Sequence, residues 1–308
     1  MDKFIGIDVS KARLDVHVEP GGTAFAVSRD GEGLSELVER LAHEPCACIA
    51  VEATGGYERV VAAELAAAGL PVAVVNPAQV RAFAQAMGER AKTDPIDAAV
   101  IARFAAAVRP ELRPLRDADT ARLADLVARR RQIVAMITAE TQRLSRASAR
   151  TARSIKRLIT ALRRELSDVD GDIDAAVRES PIWRAREALL TSVPGVGRVV
   201  ARTLVAELPE LGRLTRRQIA ALAGLAPWTR QSGRWRGRSF IGGGRASVRS
   251  ALYMAALTAA RCAGPLKDFV DAMVARGKAK KVALIALARK ILVILNAIVR
   301  DQKPYHPA

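Results

Sequence analysis

The apolar period of this chain changes once, and that change decides what its two parts can fold into. In the N-terminal third, short strand-type runs alternate with helical segments; beyond Thr120 the spacing is helical almost throughout. KFIGIDV at 3–9 and the run at 12–19 predict a hairpin, and 23–28 predicts a third strand. Gly31 to His43 has helical spacing, Cys46 to Val51 is an apolar strand, 56–68 is a helix opened by Thr54-Gly55-Gly56, and Pro71 to Val75 is a further strand. Strand–helix–strand alternation after an antiparallel start predicts an α/β domain with a mixed sheet over 1–110.

The second part reads differently. Leu123, Leu126, Val127, Ile133, Val134, Ile137 and Leu144, then Ile155, Leu158, Ile159, Leu162 and Leu166, fall at three- and four-residue steps. They predict a long helical stalk, or coiled-coil hairpin, over 117–170, broken by the polar stretch Ser167 to Gly171. After Pro181 a mainly α domain over 180–308 is expected. Its start, SVPGVG at 192–197 between helical segments 182–191 and 198–208, has the pattern of a helix-hairpin-helix element. That turn fits a backbone approach to phosphate or an ordinary helix connection.

Charge follows the same division. The 308 residues carry a formal charge of +17, but residues 1–105 hold 10 basic and 15 acidic side chains whereas 106–308 hold 39 and 17. Residues 109–164 have 15 basic against 5 acidic groups, and 213–249 have 9 arginines with no acid. Such uncompensated stretches are candidate nucleic-acid surfaces, so a polyanionic partner is expected. Three cysteines (Cys46, Cys48, Cys262) and three histidines (His17, His43, His306) are too few for a disulfide framework or a Cys/His zinc site, which points to a reducing, cytoplasmic setting. The start MDKFIGIDVS lacks the pattern of a signal peptide, and Val282 to Val299, interrupted by Arg289 and Lys290, reads as a buried amphipathic helix with no membrane partner.

Within the acidic part, Asp8 and Glu52 close two apolar strands, and carboxylates at the ends of neighbouring central strands can converge. In Lys92-Thr93-Asp94-Pro95-Ile96-Asp97, Pro95 suits the first helical position and Asp94 the N-cap, with Asp97 on the same face. Side chains so spaced have Cβ atoms roughly 5–6 Å apart. Converging acids repel one another unless a cation is bound, and an oxygen-only ligand set of Asp8, Glu52, Asp94 and Asp97 suits Mg²⁺ or Mn²⁺. Two such ions about 3.5–4 Å apart can clamp an in-line phosphoryl transfer. Taken singly, Asp8 also fits a turn, and Asp94 with Asp97 also fits a helix start.

The motifs GIDVSK at 6–11, VEATGGYE at 51–58, VNP at 75–77 and KTDPIDAAVIA at 92–102 closely resemble the N-terminal domain of DEDD transposases of the insertion sequence one-ten family. SVPGVG at 192–197, ALAGLAP at 221–227, RQSG at 230–233 and GGRASVRSALYMAAL at 243–257 resemble that family's second domain, in the same order. The resemblance implies an RNase H-like, RuvC-like fold for the first domain, and it carries the DEDD tetrad onto Asp8, Glu52, Asp94 and Asp97. It also carries a serine nucleophile onto Ser232 and implies DNA recombination directed by a structured noncoding bridge RNA.

A serine that attacks a phosphodiester keeps the bond's free energy in a phosphoserine link, so the strand can be resealed without ATP. Arg230, Arg234, Arg236 and Arg238 flank Ser232, and Arg245 and Arg249 extend the candidate nucleic-acid surface. Trp228 and Trp235 fit either base stacking or core anchoring. Handling donor and target duplexes together calls for a dimer or tetramer. A site-specific DNA invertase would use the same residues. A resolvase that hydrolyses junctions would not need Ser232, and a non-catalytic regulator would need none of the four acids.

Overall fold

The computed structural model describes residues 2–89, 93–112, 117–229, 231–237 and 239–306. The chain divides into two compact units, Met1–Leu115 and Arg116–Ala308.

In the first unit, β1 (Lys3–Val9), β2 (Arg13–Glu19), β3 (Thr23–Ser28), β4 (Cys46–Glu52) and β5 (Val72–Val75) form one sheet in the order β3-β2-β1-β4-β5. β1–β2 and β2–β3 are antiparallel, and β1–β4 and β4–β5 are parallel. This is the mixed sheet that the alternation predicts, and it is consistent with a RuvC-like domain. The sheet is buried on both faces, and the pleat assigns each residue to one of them. Ile5, Ile7, Val9, Ile49 and Val51 pack with Leu34, Leu37 and Leu41 of α1 (Gly31–Ala42) and Val61 and Leu65 of α2 (Glu58–Ala67). Phe4, Cys48, Ala50 and Val75, one residue out of phase, pack with Val80 of α3 (Pro77–Ala86) and Val100, Ile101 and Phe104 of α4 (Asp94–Val108). Each fully buried Ile or Leu in these layers contributes roughly 1.5–3 kcal/mol.

One residue sets how closely α4 can lie on the sheet. A Cβ built on Gly6, in mid-β1, would sit 2.2 Å from the carbonyl oxygen of Ala98 and 2.3 Å from the backbone nitrogen of Ala102. The helix backbone therefore rests directly on the strand, in the space that any other side chain would fill.

The second unit is mainly helical: α5 (Ala118–Leu144), α6 (Ala149–Glu179), α7 (Pro181–Thr191), α8 (Arg198–Glu207), α9 (Arg216–Leu222), α10 (Ala246–Ala259), α11 (Pro265–Ala275) and α12 (Lys280–Asp301). Between α9 and α10 lie four two-residue strands, β6 (Pro227–Trp228), β7 (Gln231–Ser232), β8 (Trp235–Arg236) and β9 (Phe240–Ile241). The expected break at Ser167 to Gly171 is not there, because α6 runs through it. Val169 and Ile173 continue the apolar step from Leu162 and Leu166 and are buried, while the intervening polar residues face outward. Asp170 and Asp174 meet Arg130 and Arg202. Gly171 costs about 1 kcal/mol relative to Ala at such a position, too little to end a helix with that much buried surface.

α5 and α6 form a helical hairpin whose root shares one core with the later helices. Leu123, Val127 and Ile133 of α5 and Val169, Ile173 and Val177 of α6 join Leu204, Leu252, Leu287, Ile291 and Leu295. α12 is long and apolar enough to cross a membrane, yet Leu287, Ile291, Leu292 and Leu295 are wholly buried inside this core, as the amphipathic reading expects. Its buried Asn296 accepts from the Gly212 backbone N–H (2.8 Å) and donates to the Leu214 carbonyl (2.9 Å), pinning the loop before α9. The SVPGVG turn does join two helices, α7 and α8. The close approach at Gly195, however, is to α10, where an added Cβ would lie 2.5 Å from the Ala255 carbonyl oxygen.

Replacing Gly6 should unseat α4. Gly6→Val is expected to lower the unfolding free energy of the protein by about 3 kcal/mol in urea titration, with Gly6→Ala in the same direction. A valine variant within about 0.5 kcal/mol of wild type would show that α4 does not depend on this contact.

Candidate active site

The register of β1 and β4 pairs Gly6 with Ala50 and Ile7 with Val51, so Asp8 and Glu52 follow at adjacent strand ends. Both fall on the α4 face by the alternation of the pleat. Since Ala98 and Ala102 touch Gly6, the first turn of α4 comes down beside Asp8, two residues along the strand. The carboxylates of Asp8, Asp94 and Asp97 consequently converge, with ligand oxygens all within 4.8 Å of one another.

The start of α4 differs by one residue from the sequence expectation. Thr93 is the N-cap, Asp94 and Pro95 occupy the first two helical positions, and the backbone N–H of Asp97 donates to the Thr93 carbonyl at 2.8 Å. Asp94 is thus a first-turn residue and not the cap, and its carboxylate joins the cluster. Both aspartates lie in the positive end of the helix dipole, which offsets part of their repulsion. Lys92 of the same motif lies outside the described residues.

Glu52 stands apart from the aspartate trio, close enough for its charge to act on Asp8. Burial raises Asp8 from its ordinary value of 3.8 to about 6, and the charges of Asp97, Glu52 and Asp94 push in the same direction, against a bond from the Val9 backbone. A half-buried carboxyl so crowded by acids binds either a proton or a cation. The donors are hard carboxylate oxygens with no sulfur or imidazole among them, which fits Mg²⁺ or Mn²⁺ held by Asp8, Asp94 and Asp97.

Two residues at this site were not singled out from the sequence. Asp15 of β2 lies directly across from Asp8 in the antiparallel pair, hence on the same face, and is buried. The guanidinium of Arg13 donates to it through Nε (3.1 Å) and Nη2 (2.7 Å). That pairing, with the charge of Asp94 as a lesser cause, holds Arg13 above its ordinary pKa. The hairpin register from Val9↔Leu14 outward contains this signal, because counting back from the Ser10–Ala12 turn puts Asp15 opposite Asp8. The acid in VEATGGYE that follows the glycines has a different task. Glu58 accepts from the backbone N–H groups of Thr54 (3.0 Å) and Gly56 (2.9 Å), holding the loop after β4.

In the second unit, Ser232 lies on an exposed hairpin. β7 and β8 pair Gln231 with Arg236 and Ser232 with Trp235, turning at Gly233 (φ 54°) and Arg234. The glycine at the first central position is the residue that a type II′ hairpin turn takes. The neck of the loop is closed by glycines: a Cβ on Gly244 would lie 2.4 Å from the Gly224 nitrogen, and one on Gly224 would lie 2.3 Å from the Gly243 oxygen. Arg249 donates to that Gly243 carbonyl at 2.6 Å.

The arginines expected on nucleic acid thus divide. Arg245 makes a forked pair with Glu210 (2.6 Å to each oxygen) and donates to the Glu207 carbonyl (2.8 Å), so its guanidinium holds the end of α8 to the start of α10. Arg249 likewise serves the neck. Arg234 is exposed beside Ser232. Arg230 and Arg238 lie outside the described residues, as does the side chain of Arg236.

Residues 5–151 match a transposase family model, DEDD_Tnp_IS110, and residues 187–271 match the model described as Transposase IS116/IS110/IS902 family. The chain is 28% identical to the pilin gene-inverting protein of Moraxella lacunata, over 98% of this chain and 97% of that protein. It is 32% identical to the insertion element IS900 uncharacterized 42 kDa protein of Mycobacterium paratuberculosis, over 67% of this chain and 50% of that one. It is 31% identical to the insertion element IS110 uncharacterized 43.6 kDa protein of Streptomyces coelicolor, over 48% and 36%.

The raised Asp8 pKa has a definite sign. Its carboxyl binds a proton more tightly folded than unfolded, so without metal the ionised group destabilises the fold at pH 7 and ceases to do so below pH 4. In EDTA, Asp8→Asn should be more stable than wild type above pH 6, by about 1 kcal/mol once half-exposure is discounted, and the gap should close as pH falls to 4. Thermal melts across that range test it; a gap independent of pH would contradict it.

Proposed function

The chain belongs to the IS110 family of transposases, and from that footing we propose that it recombines DNA by a divalent-metal-dependent serine attack on a phosphodiester, excising and inserting a mobile element. The observation that carries this reading is the convergence of the Asp8, Asp94 and Asp97 carboxylates at the end of the central strand of a mixed sheet. Arg13, the cation whose charge reaches Asp94, is itself paired with Asp15. Three carboxylate oxygens gathered this closely can share a divalent cation.

Ser232 Oγ attacks phosphorus, the new Oγ–P bond forms as a P–O bond of the DNA strand breaks, and the serine proton ends on the departing DNA hydroxyl. Reversal against a different strand end reseals the backbone with no other energy source. Asp8, Asp94 and Asp97, with Glu52 beside them, would hold Mg²⁺ or Mn²⁺, and when bound that ion supplies charge neutralisation for the attacking oxygen and the phosphate. Arg13 is fixed by Asp15 so that its remaining N–H groups stay available to a phosphate oxygen near Asp94. Arg234 offers the same kind of fork beside Ser232. Exposure of Ser232 on a hairpin with a closed neck supports the role, since a nucleophile for a duplex must stand clear of its own fold.

Donor and target duplexes, a dimer or tetramer of the chain, and a structured bridge RNA complete the proposal. The basic surplus of residues 106–308 suits two polyanions at once. A second reading, site-specific DNA inversion, is favoured by one observation. The similarity to the Moraxella lacunata protein spans 98% of this chain and 97% of that one, whereas the insertion-element relatives are matched over half their length or less. The chemistry is the same for both.

Wild-type protein with Mg²⁺, RNA transcribed from the flanking region and labelled element-junction DNA should give a denaturant-resistant protein–DNA adduct. Ser232→Ala and Asp8→Asn should each lower it by roughly a thousandfold or more, and omission of the RNA should abolish it. Cleavage by Ser232→Ala at the wild-type rate would instead identify a hydrolytic resolvase.

A further inference from the structure

Large aromatic rings are scarce in this chain: 3 Trp, 6 Phe and 3 Tyr. Trp183 packs against the main core of the second unit, as a tryptophan in a helical domain ordinarily does. The other two tryptophans do not. Trp228 is 56% exposed and Trp235 is 59% exposed, both on the loop that presents Ser232. Phe240, 46% exposed, joins them.

The placement of these rings follows from the strand pairs. In β6–β9, Trp228 faces Phe240, and the two rings stack with centroids 6.2 Å apart and planes within 20°. Ile241, the next residue, packs against the core, so alternation turns Phe240 and its partner outward. In β7–β8, Trp235 is the direct cross-strand partner of Ser232, so its ring and the serine hydroxyl project from the same face of the hairpin. More than half of the surface of Trp228 and of Trp235 faces water, which is unfavourable for large apolar rings and is relieved when a flat partner stacks on them.

Charge selects the occupant. Residues 213–249 contain 9 arginines and no aspartate or glutamate, and with Arg245 and Arg249 drawn into the fold the segment still carries a positive surplus that attracts a polyanion. Flat π faces set among arginines are the recognition chemistry of nucleic-acid bases that are not stacked inside a duplex. Because Trp235 is paired with Ser232, the strand that reaches it is the strand Ser232 attacks. That strand is DNA.

We propose that Trp235 and the stacked Trp228–Phe240 pair form seats for unpaired bases of the DNA strand next to the phosphodiester attacked by Ser232. The proposal rests on reading Ser232 as the nucleophile and adds a substrate requirement: the attacked DNA is locally opened. Stacking also gives the departing strand end a hold after its bond to phosphorus is gone, when phosphate contacts alone would let it slide. These are positioning residues, since they touch bases and not the reacting atoms.

The test uses full-length Ser232→Ala protein, which forms no covalent link, and reads tryptophan emission. The probes are a short single-stranded pyrimidine DNA, the same DNA with abasic sites, its intact duplex, and RNA of the same sequence. Single-stranded DNA should quench the emission. Adding Trp235→Leu should weaken that binding roughly five- to hundredfold, Trp235→Phe should retain most of it, and neither should change duplex affinity. Abasic DNA should lose what Trp235→Leu loses. Equal weakening for duplex and single strand, unimpaired binding of abasic DNA, or RNA binding more tightly than DNA would each overturn the proposal. Trp235 is exposed, so matching thermal melts are expected for its variants. Since binding is read without the nucleophile, a failed adduct assay leaves this result standing. A normal wild-type adduct with no dependence on Trp235 removes the platform alone.

Discussion

The candidate site exists because a helix backbone can lie directly on a strand. At Gly6 the contact with Ala98 and Ala102 is closer than any side chain permits, and it fixes the height and register of α4 on the sheet. Asp8 is two residues further along the same face of the strand, and Asp94 and Asp97 occupy the turn of α4 that arrives there. Hydrophobic burial on that face, through Phe4, Ala50, Ile101 and Phe104, supplies the free energy that holds three mutually repelling carboxylates together. Packing thus opposes electrostatics at this point: burial first, and the neighbouring acids second, raise the Asp8 pKa to about 6.

The second unit shows how a strongly basic segment sorts its charges. Arg245 and Arg249 are drawn into the fold, one by Glu210 and the Glu207 carbonyl, the other by the carbonyl of Gly243. Together with the contact of Gly224 and Gly244 they close the neck of the loop 225–242. What the loop then presents to solvent is a serine, the exposed Arg234 and aromatic rings. A tight neck with an open tip lets a small hairpin act as a rigid presenter without a core of its own.

Much of this was legible in the sequence, and the parts that were not share a physical cause. Strand alternation and helical spacing place β1 to β5 and most helices, because binary pattern is a local property. Asp8, Glu52, Asp94 and Asp97 are recognisable from motifs. The role of Gly6 is not, since it depends on a helix more than ninety positions away. The expected break at Ser167 to Gly171 weighed local polarity over a continuing apolar step, and the buried Val169 and Ile173 decide the matter. Arg245 resembles a phosphate ligand until Glu210 is brought to it by the turn between α8 and α9. Asp15 was accessible through the hairpin register, but a lone acid in RLDVHVE carries no signal until its cross-strand neighbour is known.

The central claim is that the packing of α4 on β1 builds a divalent-cation site from Asp8, Asp94 and Asp97. Crystals of the protein grown with Mn²⁺ and measured at the manganese absorption edge test it most directly. The account predicts an anomalous peak bonded to carboxylate oxygens of those three residues, lost in crystals of Asp97→Asn. Manganese bound elsewhere, or three carboxylates turned away from one another at saturating Mn²⁺, would contradict it.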